Sequence, residues 1–227
     1  MIVLSIDTAA NLCAACVWQS AIGERGRAVR DVGKGHAEVL MEVIDAAMAS
    51  AGLAFTDLDA IAVSTGPGSF TGVRIGVATA RGLALALKVP AIGVSTLEAL
   101  AREAMDRFPA RDVLAVIDAG RGKVYVAGRA ADGTMTHAPA ELDFEAAVWL
   151  AAASDVVLHG SAAAAIAQTA GRPFDIAGSD RTADIAIYAR IAALRTTRQV
   201  ERPKPLYLRG ADAKPQENFA LPRKAAP

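Results

Sequence analysis

The chain opens on an apolar run, Ile2-Val3-Leu4-Ser5-Ile6, that stops at Asp7 and a Thr8-Ala9-Ala10-Asn11 turn. A short apolar run bounded in this way predicts a buried strand. Leu12–Trp18 and about Gly26–Asp31 predict two more. The period then changes. Ala37, Leu40, Met41, Ile44 and Met48 recur at helical spacing, predicting a helix over about Gly35–Ser50 that Gly52 stops. Ala60–Ser64 reads as a buried strand, Thr65–Thr71 as a glycine-rich loop and Gly72–Leu87 as a helix. Pro90–Val94 follows as a strand, and Ser95 as the cap of a helix reaching about Arg107.

The pattern then starts again. Val113-Leu114-Ala115-Val116-Ile117-Asp118 repeats the opening strand and its terminal acid. The turn Ala119-Gly120-Arg121-Gly122 leads into a strand over Lys123–Arg129, and Asp132-Gly133 marks a further hairpin turn. A helix over about Phe144–Ala153, a strand Asp155–His159 parallel to the earlier 59–63 segment, and a helix opened by Gly160-Ser161 complete the second half. Two halves with one order of elements imply a duplicated α/β fold with mixed sheets flanked by helices. A last helix is expected over about Thr182–Thr197, with Ile187, Ile191 and Leu194 on one face. Residues 1–107 and 108–200 are read as the two lobes, with the last helix packing back on the first. Residues 201–227 are read as a proline-rich tail, with Leu206–Arg209 as a short strand and a mobile end after Gly210.

Composition narrows the function. Apolar residues make up 53% of the 227 and aromatics 5%, so alanine and aliphatics must fill the core. Lys+Arg and Asp+Glu are both 24, so the chain as a whole offers nucleic acid no electrostatic footprint. The N-terminus has no secretory pattern. No stretch has the roughly 18 uncharged apolar residues of a membrane span, so the expectation is a cytoplasmic protein without a membrane.

Candidate chemistry is sparse. Cys13 and Cys16 form a C-x-x-C, but on a strand a spacing of three puts the two sulfurs on opposite faces, so both read as small buried hydrophobes. Ser64–Gly76 looks like a nucleotide loop, yet it has no Walker lysine, and its glycines at 66, 68 and 72 are one residue too far apart for the dinucleotide fingerprint. His36 stands four residues before Leu40 and so has no helical metal partner; it reads as a helix-start or surface histidine. His137 is placed among turn residues and His159 at a strand end. No catalytic residue, metal site or cofactor is expected. A weak nucleotide or anion site is kept open at Asp7, Thr8, Gly68, Ser69 and Asp118. The helix from Gly72 carries only Arg74 and Arg81 as charges, and Gly72, Gly76 and Ala80 form a small-residue stripe that would let another helix approach.

Five segments, in one order along nearly the whole chain, closely resemble the TsaB (YeaZ) family: Ile6–Ala9, Gly66–Gly76, Gly93–Leu97, Ile117–Ala119 and Leu206–Arg209. The resemblance implies an actin-like ATPase (ASKHA, RNase H-like) fold of two duplicated lobes. It implies a role in forming N6-threonylcarbamoyladenosine at position 37 of transfer RNA, as a non-catalytic subunit. The implied partners are a TsaD-type transferase and a TsaE-type ATPase, with a homodimer when alone and transfer RNA met only through the complex. The implied partner face comes from the first-lobe helices: His36, Leu40 and Val43 on one, and Gly72, Arg74, Ile75, Gly76, Thr79, Ala80 and Leu83 on the other. The alternatives are an active ATPase or kinase-like enzyme of the same fold, and a glycoprotease-like metallopeptidase. The glycine- and charge-rich turn Gly120–Lys123 departs from the family pattern.

Overall fold

A computed structural model describes residues 1–195 and 201–208. Three strands, β1 (Ile2–Asp7), β2 (Leu12–Gln19) and β3 (Gly23–Asp31), form an antiparallel meander. Helix α1 (His36–Ala51) ends at Gly52, which takes the left-handed conformation that glycine tolerates best (φ 65°). The chain returns through a 3₁₀ turn, Phe55–Asp57, to β4 (Ala60–Ser64), which runs parallel to β1. Helix α2 (Phe70–Leu87), β5 (Ala91–Val94) and α3 (Thr96–Arg107) follow. The resulting sheet has the order β3-β2-β1-β4-β5.

The second half repeats this plan. It contains β6 (Asp112–Gly120), β7 (Lys123–Arg129), β8 (Met135–Asp143), α4 (Phe144–Ala152), β9 (Val156–His159), α5 (Ala163–Ala170), β10 (Ile176–Gly178) and α6 (Ile185–Leu194). Its sheet runs β10-β9-β6-β7-β8, the same order element for element read from the opposite edge. This is the duplicated actin-like architecture of mixed sheets flanked by helices.

Strand periodicity sorts the core. From β1, Leu4 and Ile6 point to one side and pack with α1 and α2; Val3 points to the other, toward α3, α6 and the second sheet. The same alternation places Cys13 in the outer cluster and Cys16 in the inner one. Helices α4 and α5 cover the outer side of the second sheet. The layer between the sheets holds an exchange. Helix α3, which follows the first sheet's last strand, packs on β6, β7, β9 and β10, whereas α6, which follows the second sheet's last strand, packs on β1, β2, β4 and β5. The Ser5 hydroxyl donates to the Ile185 carbonyl oxygen at 3.0 Å across this junction.

Several expectations need correction. His137 lies in β8, the return strand of the hairpin that turns at Asp132-Gly133, paired with Gly128 rather than in a turn, and β10 adds a short edge strand to the expected set. Ser95 stands at the start of α3 without a capping bond from its side chain. Helix α5 begins at Ala163 because Gly160 has φ 122° and the Ser161 hydroxyl accepts from the Asp118 amide (3.0 Å). Residues 201–208 are ordered but form no strand. Arg209, the end after Gly210 and the helical extension to Thr197 lie outside the described residues.

Candidate functional site

The glycine loop joins the end of β4 to α2 and lies against the turn that leaves β1. The Ser69 amide donates to the Ala9 carbonyl oxygen at 2.7 Å, and the Thr8 hydroxyl donates to the Gly72 carbonyl oxygen at 2.7 Å. Ser69 caps α2, its hydroxyl accepting from the Gly72 amide at 3.2 Å. A methyl group at Gly68 would strike the Ala9 carbonyl oxygen, one at Gly72 the Thr8 carbonyl oxygen, and one at Gly76 would sit 2.5 Å from the Thr8 hydroxyl. The glycines thus serve a close approach between the β1 turn and the start of α2.

This geometry corrects the reading of the small-residue stripe. Gly72, Gly76 and Ala80 are buried against the chain's own sheet. His36, Leu40 and Val43 of α1 are also buried, and Ile75, Thr79 and Leu83 are partly so; of the ten, Arg74 alone is exposed. His36 accordingly is no surface group: its Nε2 lies 3.2 Å from the Leu12 carbonyl oxygen. The outward side of the two helices carries Met41, Phe70 and Leu85, which are 45%, 58% and 81% exposed. The phase of Arg74 and Arg81 held this information. Two arginines on one stripe mark the side toward water, and the glycine stripe lies on the opposite side of the helix. Helix α2 is also long and apolar enough to cross a membrane by length and composition, with a mean hydropathy of 1.3.

Of the five anion-site candidates, Asp7, Thr8, Gly68 and Ser69 converge here. Asp7 is fully buried; its Oδ1 accepts from the Ser64 hydroxyl at 2.5 Å and the Ala9 amide at 2.9 Å. Burial pushes its pKa above the usual carboxylate range, and the Ser64 and Ala9 donors only partly oppose this. Asp118 is exposed at the end of β6 and uses its Oδ1 to accept from the Gly120 amide (2.8 Å). The Arg181 guanidinium donates to the Asp118 carbonyl oxygen at 3.1 Å. Cys13 and Cys16 are buried and unpaired, and burial pushes their thiols up to about 11 and about 12. That leaves little thiolate for metal or redox chemistry. His159 is buried at the end of β9 with Nδ1 3.0 Å from the Leu100 carbonyl oxygen, and burial holds its pKa below the ordinary value. Between α3, α6 and the β7–β8 turn lies a hollow of about 240 Å³, in which Glu98 pairs with Arg195 (2.6 Å) and Arg129 (3.9 Å).

Comparison with known proteins agrees with this architecture. The family model for tRNA N6-adenosine threonylcarbamoyltransferase (TsaD) matches residues 28–202. The tRNA threonylcarbamoyladenosine biosynthesis protein TsaB of Escherichia coli is 40% identical over 125 residues, 55% of this chain and 53% of that protein. The chain thus matches about half the length of that curated relative. The solved structure of YeaZ from Pseudomonas aeruginosa superposes with a TM-score of 0.74 at 30% identity, covering 91% of this chain and 99% of that one. An activator of 2-hydroxyisocaproyl-CoA dehydratase from Clostridium difficile, at 13% identity and a TM-score of 0.50, shares the fold alone.

Proposed function

We propose, since the chain belongs to the TsaB (YeaZ) family, that it is a non-catalytic partner subunit in forming N6-threonylcarbamoyladenosine on transfer RNA. It pairs through the outward side of α1 and α2 with a TsaD-type transferase, or with a second copy when alone. A TsaE-type ATPase joins the assembly, and transfer RNA is met through the complex, in the cytoplasm. The observation that carries this reading is the outward side of α2, where Phe70 and Leu85 are 58% and 81% exposed beside Arg74 and Arg81. The two stand at opposite ends of one outward stripe that also carries the exposed Ala78, and large apolar side chains left in water along one helical stripe support its reading as an interaction surface. The other side of the same helix is packed on the chain's own sheet, as in a core helix rather than a membrane span.

The glycine loop supports the non-catalytic part of the reading. The Ser69 amide and the Gly72 carbonyl oxygen are engaged with the β1 turn, the Gly66 carbonyl oxygen accepts from the Thr96 amide, and a side chain at Gly68 or Gly72 would collide with the β1 turn. The loop's glycines thus serve its own packing on that turn. A bound partner can still act by favouring one conformation of the transferase, which requires only that the subunit bind that state more tightly.

The test is reconstitution from this chain, a transferase, an ATPase, threonylcarbamoyl-adenylate and unmodified transfer RNA, with each protein omitted in turn. Modified adenosine is read by mass spectrometry. Product is expected from the full set and none from this chain alone. Leu85→Asp, which puts a charge on the exposed side of α2, should lower product formation at least about tenfold, as loss of a central interface contact does. Product from the isolated chain would overturn the reading, and so would full activity without it.

A further inference from the structure

We propose that the C-terminal stretch Pro203–Leu208 is a working part of the pairing face: Tyr207, Phe70 and Arg74 form an anchor that receives a carboxylate from α1 of a second copy of this chain. The proposal rests on the reading of α1 and α2 as that face.

The stretch is pinned to the first sheet. Pro203 packs against Gly93 of β5, and the Leu206 amide donates to the Thr65 carbonyl oxygen at 2.8 Å while its own carbonyl lies over Gly66. These contacts deliver Tyr207 to the first turn of α2, where its ring centroid lies 5.7 Å from that of Phe70, tilted by 40°. Arg74, one turn further along, lays its guanidinium 3.7 Å over the Phe70 ring and 5.6 Å from the Tyr207 ring. Its Nε donates to the Tyr207 hydroxyl at 2.7 Å. The two rings nevertheless stay 58% and 54% exposed. An arginine fixed between two half-covered aromatic rings loses little freedom on binding. Tyrosine and arginine are also the residue types in which binding energy concentrates at interfaces.

Charge selects the occupant. Among the described residues, neither Arg74 nor Arg81 on the outward side of α2 has an acidic partner. The outward side of the neighbouring α1 carries Glu38, Glu42 and Asp45. Glu42 pairs with Arg30 at 2.7 Å; Glu38 and Asp45 make no ion pair among the described residues. A basic helix beside an acidic one is self-complementary under a twofold rotation, which lays each copy's α2 against the other's α1. Arg74 keeps its terminal N–H groups for such a carboxylate, because Tyr207 occupies only Nε.

Sedimentation equilibrium of the full chain tests this, with thermal unfolding of each variant as the control for folding. Tyr207→Ala should weaken self-association about tenfold or more, and Tyr207→Phe, which keeps the stack and loses the bond to Arg74, about two- to fivefold. Arg74→Glu should abolish self-association, and mixing it with a Glu38→Lys/Asp45→Lys chain should restore a heterodimer. If Leu85→Asp separates the copies while Tyr207→Ala and Arg74→Glu do not, the helical face stands and the anchor is wrong. If Leu85→Asp also leaves self-association unchanged, the reading beneath the proposal fails. Tyr207 variants that self-associate normally but lose a transferase partner would overturn the second copy as occupant.

Discussion

Asp7 ends the first strand, and its position there is plain from the sequence; its burial is not. Helix α6, which packs on β1, comes from far along the chain, and no local pattern reports its return. A buried carboxyl with a raised pKa holds its proton more tightly folded than unfolded. Its contribution to stability is therefore full below the unfolded carboxylate range, near about pH 4, and is lost as pH rises through the folded-state value. Asp7→Asn keeps an acceptor for Ser64 and Ala9 and removes the titration. In urea unfolding the variant should match or exceed the parent at pH 7, and the parent should gain on it as pH falls to 4. The opposite trend would show a carboxylate that the fold favours in its charged form. The cysteines were legible for the converse reason: strand alternation alone assigns Cys13 and Cys16 to opposite faces, and the two core clusters bear this out.

Helix α2 shows how an element can be found and still be turned the wrong way. Its extent follows from composition, and the two arginines mark its wet side, but a glycine stripe has two uses. It can admit a partner's helix, or it can admit a neighbouring turn of the same chain, and choosing between them requires knowing where Thr8 lies. The consequence is measurable within the one helix. Gly76→Ala would force a methyl group against the Thr8 hydroxyl at 2.5 Å, whereas at Gly82 nothing lies within 4 Å. The first substitution should cost about 1–3 kcal/mol, as overpacking does. The second should stabilise by about 0.5–1 kcal/mol, since alanine is the better helix former. Denaturant midpoints for the pair decide the matter; equal effects would mean that Gly76 is not in close contact. The edges of the second sheet were harder to read. Strand β8 carries Pro139 and little alternation, and β10 is only three residues long, so pairing rather than local pattern creates both.

At the scale of the whole molecule, the duplication was visible in the repeated strand-and-acid pattern, and the two sheets follow it strand for strand. The crossing of α3 and α6 was only half visible, since the return of the last helix was expected and the reciprocal move of α3 was not. The crossing has a direct test. A chain cut in the exposed turn after Pro109 gives two pieces, each with its sheet but with its inner face covered by a helix that belongs to the other. Each piece alone should lack a cooperative unfolding transition, and an equimolar mixture should recover one; a cooperative transition in either piece alone would refute the dependence. The exchange also bears on ancestry. Two half-length chains, each with a single sheet and three helices, would make these same contacts as a pair by lending one another their last helix. Joining them end to end keeps every contact and makes the pair's stability independent of its concentration.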